Sequence, residues 1–299
     1  MIRQKNDILW KSIMEEVFDD LLRFLFPKAD SVFDMERGFQ FLDKELSEMY
    51  PEPDKRSDTR FVDKLVKVYQ RNGAEEWVLV HVEVQGAHDP QFPKRMFRYY
   101  CRIFDRYDRP VTAIAIFTGK DGKNMTDRYE CAYEGSELTY KYNTLYITDY
   151  DDKVLAESDN PFALVLLAAK KALMAGKEPD EQLLQQKILI LKLLYRNGLF
   201  DKRKIKAILS FLHNYVRFAK PETNRIFINE IDLITGKKNT MDIFEQVAEL
   251  RAEEALERER RIFVKNLLSG TRFSVEKIAA LANVPVEFVS KIKKRMKVK

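Results

Sequence analysis

The chain has 299 residues, 45% hydrophobic and 33% charged, with ten Gly and ten Pro. That is enough to bury one core or two, and it is far from a disordered polyelectrolyte or a fibrous repeat. Two cysteines, Cys101 and Cys131, and three histidines, His81, His88 and His213, exclude a disulfide scaffold and make a Cys-rich or His-based metal cage a poor fit. No run of about 18 apolar residues offers a membrane span. No apolar signal core follows the first residues, so the expected location is cytoplasmic.

Residues 8–26 carry Ile8, Leu9, Ile13, Val17, Leu21, Leu22 and Leu25 near helical spacing. They predict an amphipathic helix with Asp7 as N-cap and Pro27 as its stop. A second short segment falls at 37–50, then a polar loop at 51–58. The period then changes. Residues 60–69 and 76–85 are rich in β-formers, and Asn72-Gly73 between them favours a hairpin turn. A helix is predicted at 91–108 with Asp89 as N-cap, and 111–118 (VTAIAIFT) reads as a strand buried on both faces. Two or three further strands fall in 128–148. From 151 onward the pattern is helical: 162–175 after Pro161 with Gly176 as C-cap, then 180–196, 201–218, a weaker helix at 222–233, a charged one at 241–268, and short helices at 275–282 and 286–296. The expected organisation is an α/β domain at 1–150, a helical region at 151–240 and a tail at 241–299.

The hairpin carries the candidate chemistry. Asp63 sits in the first strand among Phe61, Leu65, Lys67 and Tyr69. In the second, His81, Glu83 and Gln85 share one face and Val80, Val82 and Val84 the other. A carboxylate in a valine-rich strand is costly to bury unless paired or metal-bound. If the register brings Asp63 and Glu83 together, they suit a hard cation such as Mg²⁺; the plainer reading is an exposed strand face. His81 is expected to be a hydrogen-bonding histidine more than a ligand, and His213 a structural one. Cys101 is expected to be half-buried on a helix flank.

The helix that follows places Arg95, Arg98, Arg102, Arg106 and Arg109 on one side with Tyr99 at its edge, and Met96, Tyr100, Ile103, Phe104 and Tyr107 on the other. An arginine stripe beside an aromatic suits a phosphate backbone; ion pairs with Asp105 and Asp108 would use the same face blandly. Residues 251–299 hold 13 Lys/Arg against 6 Asp/Glu, so the other 250 residues sum to −2 of the net +5. Residues 274–292, with Ser274 as a cap, Ile278 and Leu281 in one helix and Val286, Val289 and Ile292 in the next, are compatible with a helix-turn-helix. Docking to protein or dimerisation would use the same pattern. Ile243, Val247, Leu250 and Leu256 resemble a short coiled-coil seam for a homodimer.

The segments FVDKLVKVY (61–69), VLVHVEVQG (78–86) and FPKRMFRYYCRIFDRY (92–107), supported by DILWKSIMEEVF (7–18) and FLDKEL (41–46), resemble the PD-(D/E)XK nuclease core. More narrowly they resemble the Rpn family of recombination-promoting nucleases, also labelled PD-(D/E)XK nuclease family transposases. The resemblance covers about residues 7–150. It implies an α/β fold: a restriction-endonuclease-like core, a central mixed sheet flanked by helices, followed by the α-helical C-terminal half. It also implies a Mg²⁺-dependent DNA endonuclease linked to recombination or mobile elements. Asp63 and Glu83 become the metal-binding and catalytic carboxylates, with Gln85 beside them. Glu45, with Glu16 behind it, is the candidate third acid. Gln85 stands where the superfamily usually has lysine; it can orient water but brings no charge. That departure motivates the alternative of a DNA-binding regulator or adaptor with a decayed nuclease site. No strand-transfer chemistry is expected.

Overall fold

The computed structural model describes residues 2–42, 61–73, 75–83, 89–119, 125–175, 177–236, 263–271, 273–282 and 284–297; for 61–63 and 75–83 the description extends to the backbone alone. The chain divides into two compact units, residues 1–236 and 237–299.

The first apolar stretch is two helices, α1 (Ile2–Glu16) and α2 (Phe18–Leu25), separated by a bend at Val17 (φ −124°, ψ 26°). Asp7 therefore lies inside α1 and does not cap it. Val17, Phe18 and Leu21 are all buried, so the apolar pattern runs through the break without marking it. A one-turn helix α3 (Ala29–Val32) follows. Within the segment expected at 37–50, Gln40–Phe41 form a short strand, β1; residues 43–60 lie outside the described residues.

Strands β2 (Phe61–Tyr69) and β3 (Glu75–Glu83) form the expected antiparallel hairpin. Gly73 turns it at φ 84°, a left-handed value that a β-carbon would strain, and its N–H donates to the Gln70 carbonyl at 2.9 Å. Helix α4 (Phe92–Tyr107) carries the chain to β4 (Val111–Phe117), which runs parallel to β3. Ala113 to Phe117 are all buried, as a central strand covered on both faces requires.

The stretch 128–148 splits. β5 (Arg128–Tyr133) and β6 (Ser136–Lys141) pair with each other as a separate hairpin, and β7 (Asn143–Tyr146) joins the main sheet parallel to β4. The main sheet is mixed, in the order β1-β2-β3-β4-β7. The fold class is mixed α/β.

A helical array completes the first unit. α5 (Asp152–Glu157), a short helix not expected from the sequence, is capped by Asp151, whose side chain accepts from the Lys153 and Val154 N–H groups. α6 (Pro161–Ala172) has Asn160 as its N-cap and Leu173 as its C-cap; Gly176 lies outside the described residues. α7 (Asp180–Leu194), α8 (Lys202–Tyr215) and α9 (Pro221–Thr235) follow; α9 is a full helix of 15 residues. α1 packs on α8 and α2 on α6, so the expected boundary at 150/151 runs inside one unit: these helices bury their apolar faces against the start of the chain.

In the second unit, α10 (263–270), α11 (Val275–Ala282) and α12 (Val286–Lys297) enclose Val264, Ile278, Ala279, Ala282, Val289 and Ile292. The coiled-coil residues Ile243, Val247, Leu250 and Leu256 lie outside the described residues. No described helix is long and apolar enough to cross a membrane.

Candidate functional site

The strand register assembles the site. Asp63 pairs with His81 and Phe61 with Glu83; across β3, His81 pairs with Ala115 and Glu83 with Phe117; across β4, Ala115 pairs with Thr144 and Phe117 with Tyr146. Directly paired residues share a face, and so do residues two apart along a strand. Positions 63, 81 and 83 therefore fall on one face of the sheet, 63 and 83 as diagonal neighbours. Leu65, Ala113, Ala115 and Phe117 mark that face, because they pack in one cluster with Phe92, Met96, Tyr99 and Ile103 of α4. Glu83 and Phe117 end the parallel strands β3 and β4, and the carboxyl ends of parallel strands are where open α/β sheets bind ligands.

Helix α4 begins at this same end. Asp89 opens it: Oδ1 accepts from the Gln91 N–H at 2.9 Å, and Oδ2 accepts from Arg95 Nη1 at 2.9 Å. Gln91, not Asp89, holds the N-cap position. Phe92 is buried 5.2 Å from the Phe117 ring and 6.0 Å from that of Tyr142. Tyr146 stacks on Phe117 at 4.9 Å. The hydroxyls of Tyr142 and Tyr146 donate to the Thr126 and Met125 carbonyls at 2.7 and 2.8 Å. Burial pushes both phenols up, with the Arg95 charge pulling Tyr142 the other way; they are neutral walls, not acids.

The opposite face is closed by α1. Lys64, one residue from Asp63 and so on the other side of the sheet, is 1% exposed and pairs with Glu15. The only signal of this pair in the sequence is a charge between Asp63 and Leu65. The pair also corrects Glu16. That residue lies next to Glu15 on α1, and its carboxylate pairs with Arg203 of α8. Glu16 is a link between helices on the far face, not a third acid. Leu42 donates its N–H to the Leu65 carbonyl at 2.8 Å, which brings the chain to the sheet three residues before Glu45; Glu45 and Gln85 lie outside the described residues. Among the described residues no three His, Cys, Asp or Glu side chains gather as a metal site; the side chains at 63, 81 and 83 are not among these.

The arginine stripe is narrower than its wheel suggests. Arg98, Arg102 and Arg106 are exposed. Arg95 is 20% exposed beside Asp89, with its guanidinium carbon 5.3 Å from the Phe92 ring centre. The helix ends at Tyr107 and Asp108 turns left-handed (φ 47°), so Arg109 leaves the stripe. Tyr99 is 6% exposed, in the core; it lies between Met96 and Ile103 on the sheet side and offers no surface to a base. Phe104, assigned to the packed side, is 44% exposed and stacks on Tyr100 at 5.7 Å. The other flank of α4 carries the second hairpin, Phe97 stacking on Tyr129 at 5.2 Å. Cys101 is exposed, not half-buried. The His213 ring stacks on that of Phe227, with centres 6.3 Å apart.

In the second unit, the Lys277 N–H donates to Ser274 Oγ at 3.3 Å, the expected cap of α11. The Val284 N–H donates to the Ala279 carbonyl at 3.0 Å in the turn toward α12. Comparison of the chain with protein-family models, curated proteins and solved structures finds no match.

Proposed function

We propose that the chain is a divalent-metal-dependent DNA endonuclease of the PD-(D/E)XK type, similar to the Rpn group, acting in recombination or on mobile elements. The observation that carries this reading is the register that sets positions 63 and 83 on one face, at the carboxyl end of the sheet where α4 begins. Asp63 and Glu83 are the residues that would hold Mg²⁺ or another divalent cation, since paired carboxylates are hard oxygen donors. When bound, such an ion lowers the pKa of water and neutralises charge at a phosphodiester. Gln85 orients the attacking water through its amide. Arg98, Arg102 and Arg106, exposed one turn apart, hold the phosphate backbone; a homodimer would form through the C-terminal helices. Phosphate contacts of this kind fix position without reading sequence.

The purified protein should nick supercoiled plasmid with Mg²⁺ and stop with EDTA. Glu83→Gln should lose nicking while still binding DNA. Gln85 in place of lysine favours one second reading, a DNA-binding regulator with a decayed site. Salt-sensitive DNA binding by a wild type that never nicks would select it.

A further inference from the structure

The sequence puts no cation beside the two carboxylates within the hairpin. Lys64 is on the opposite face, paired with Glu15. Lys67 pairs with Trp77, two rows further from the site than Leu65. Position 85 is glutamine. A phosphodiester gathers negative charge as it is attacked, and preorganised positive charge at that point is the largest usual term in its stabilisation.

We propose that Arg95 supplies this charge: its guanidinium meets the phosphate being cut at the carboxyl end of the sheet, and Asp89 positions it there. The inference rests on the nuclease reading above. Asp89 divides its carboxylate between the start of α4 and Arg95, so the guanidinium is fixed to the same turn that fixes the helix. Phe92 lies beneath it and touches Phe117, the register partner of Glu83. Arg95 thus stands two ring contacts from the strand end that carries the acid. At 20% exposure it is partly dehydrated, which strengthens its field relative to the exposed arginines further along the helix. With Nη1 held by Asp89 and Nε and Nη2 buried, it would act on the phosphate through its charge rather than as an open fork of donors. Arg98, Arg102 and Arg106 continue away from this end at one turn per step, so binding and chemistry divide along one helix.

The test uses the full-length chain with Mg²⁺ and compares Arg95→Ala, Arg95→Lys and Asp89→Asn with Arg102→Ala. Arg95→Ala should nick about 100-fold more slowly at saturating DNA, while its DNA affinity measured in EDTA stays within about threefold of wild type. Guanidinium added at millimolar concentration should restore part of that rate, and sodium chloride of equal ionic strength should not. Arg95→Lys should keep an intermediate rate and Asp89→Asn a smaller loss. Arg102→Ala should do the reverse, weakening binding and sparing the rate at saturation. Should Arg95→Ala fail to fold, Arg95→Lys and Asp89→Asn decide: wild-type rates in both overturn the proposal. A folded Arg95→Ala that cuts at the wild-type rate, or that loses affinity as Arg102→Ala does and is not rescued, also overturns it. A wild type that never nicks overturns the nuclease reading itself, and this inference with it.

Discussion

The carboxyl end of the sheet and the helical half hold charge in opposite ways. At the sheet end, Arg95 and Asp89 sit together at a helix start, partly open to solvent. In the helical half, charge is closed in. Lys187 is fully buried, its Nζ donating to the Val216 carbonyl at 2.7 Å and lying 4.4 and 4.2 Å from the Phe218 and Phe227 ring centres. Burial brings its pKa down to about 7. Burial, then the Lys187 charge, takes His213 down to about 4. Lys204 lies 2.8 Å from Asp19 and 2.6 Å from Asp20, with Arg23 also on both acids; burial, with Asp19 adding to it, raises Asp20 to about 6. Strongly shifted groups often mark active sites. Here Lys187 and Asp180 together fasten the 216–220 connection to α7, Asp180 accepting from the Ala219 and Lys220 N–H groups at 3.0 and 2.7 Å. These are fastenings between helices. The shifted pKa values follow burial, whereas the proposed chemistry would use charge at a reachable strand end.

The comparison predicts that helical-half variants change stability and leave DNA cleavage per folded molecule alone. The largest effect is with pH. Lys187 and His213 are both bases whose folded pKa lies below the unfolded one, 10.5 and 6.5, so the unfolded chain binds more protons and stability rises with pH. For His213 the loss comes as pH falls from 6.5 through about 4; for Lys187 the penalty is complete below about 7 and gone above 10.5. At about 1.36 kcal/mol per unit, Lys187→Met should remove up to roughly 4 kcal/mol of alkaline gain, read as denaturant midpoints at about pH 7 and pH 10. An unchanged pH slope in that variant would break the contrast.

Lys204→Met should cost roughly 3 kcal/mol, because it strips a buried pair of acids of a cation and leaves only Arg23; urea unfolding measures it. Asn160→Ala should cost about 1 kcal/mol. Its Oδ1 caps α6 at the Phe162 N–H (2.8 Å) and its Nδ2 reaches the Asp20 carbonyl (2.9 Å), so the loss should appear as a lower melting temperature with unchanged nicking.

Some of this was legible in the sequence. VTAIAIF reads as a strand covered on both faces because nothing charged interrupts it, and Asn72-Gly73 fixes the hairpin and with it the register that makes positions 63 and 83 diagonal neighbours. The bend at Val17 was not legible, since no Gly or Pro marks it and the buried pattern runs on. The departure of β5 and β6 from the main sheet was not legible either: Arg128–Tyr133 alternates like any strand, and only pairing decides its sheet. Tyr99 falls beside the arginines on a wheel oriented by charge, whereas the apolar positions Met96 and Ile103 carry it into the core. Arg95 looked like one of a stripe because the wheel does not show Asp89, six residues back, reaching it.

The most direct test is supercoiled plasmid nicking by the wild type beside Asp63→Ala, with Mg²⁺ and with EDTA, alongside their melting curves. The account predicts nicking only by the wild type with metal, a loss in Asp63→Ala of at least about 100-fold, and closely similar melting temperatures. Equal Mg²⁺-dependent nicking by a folded Asp63→Ala would contradict it.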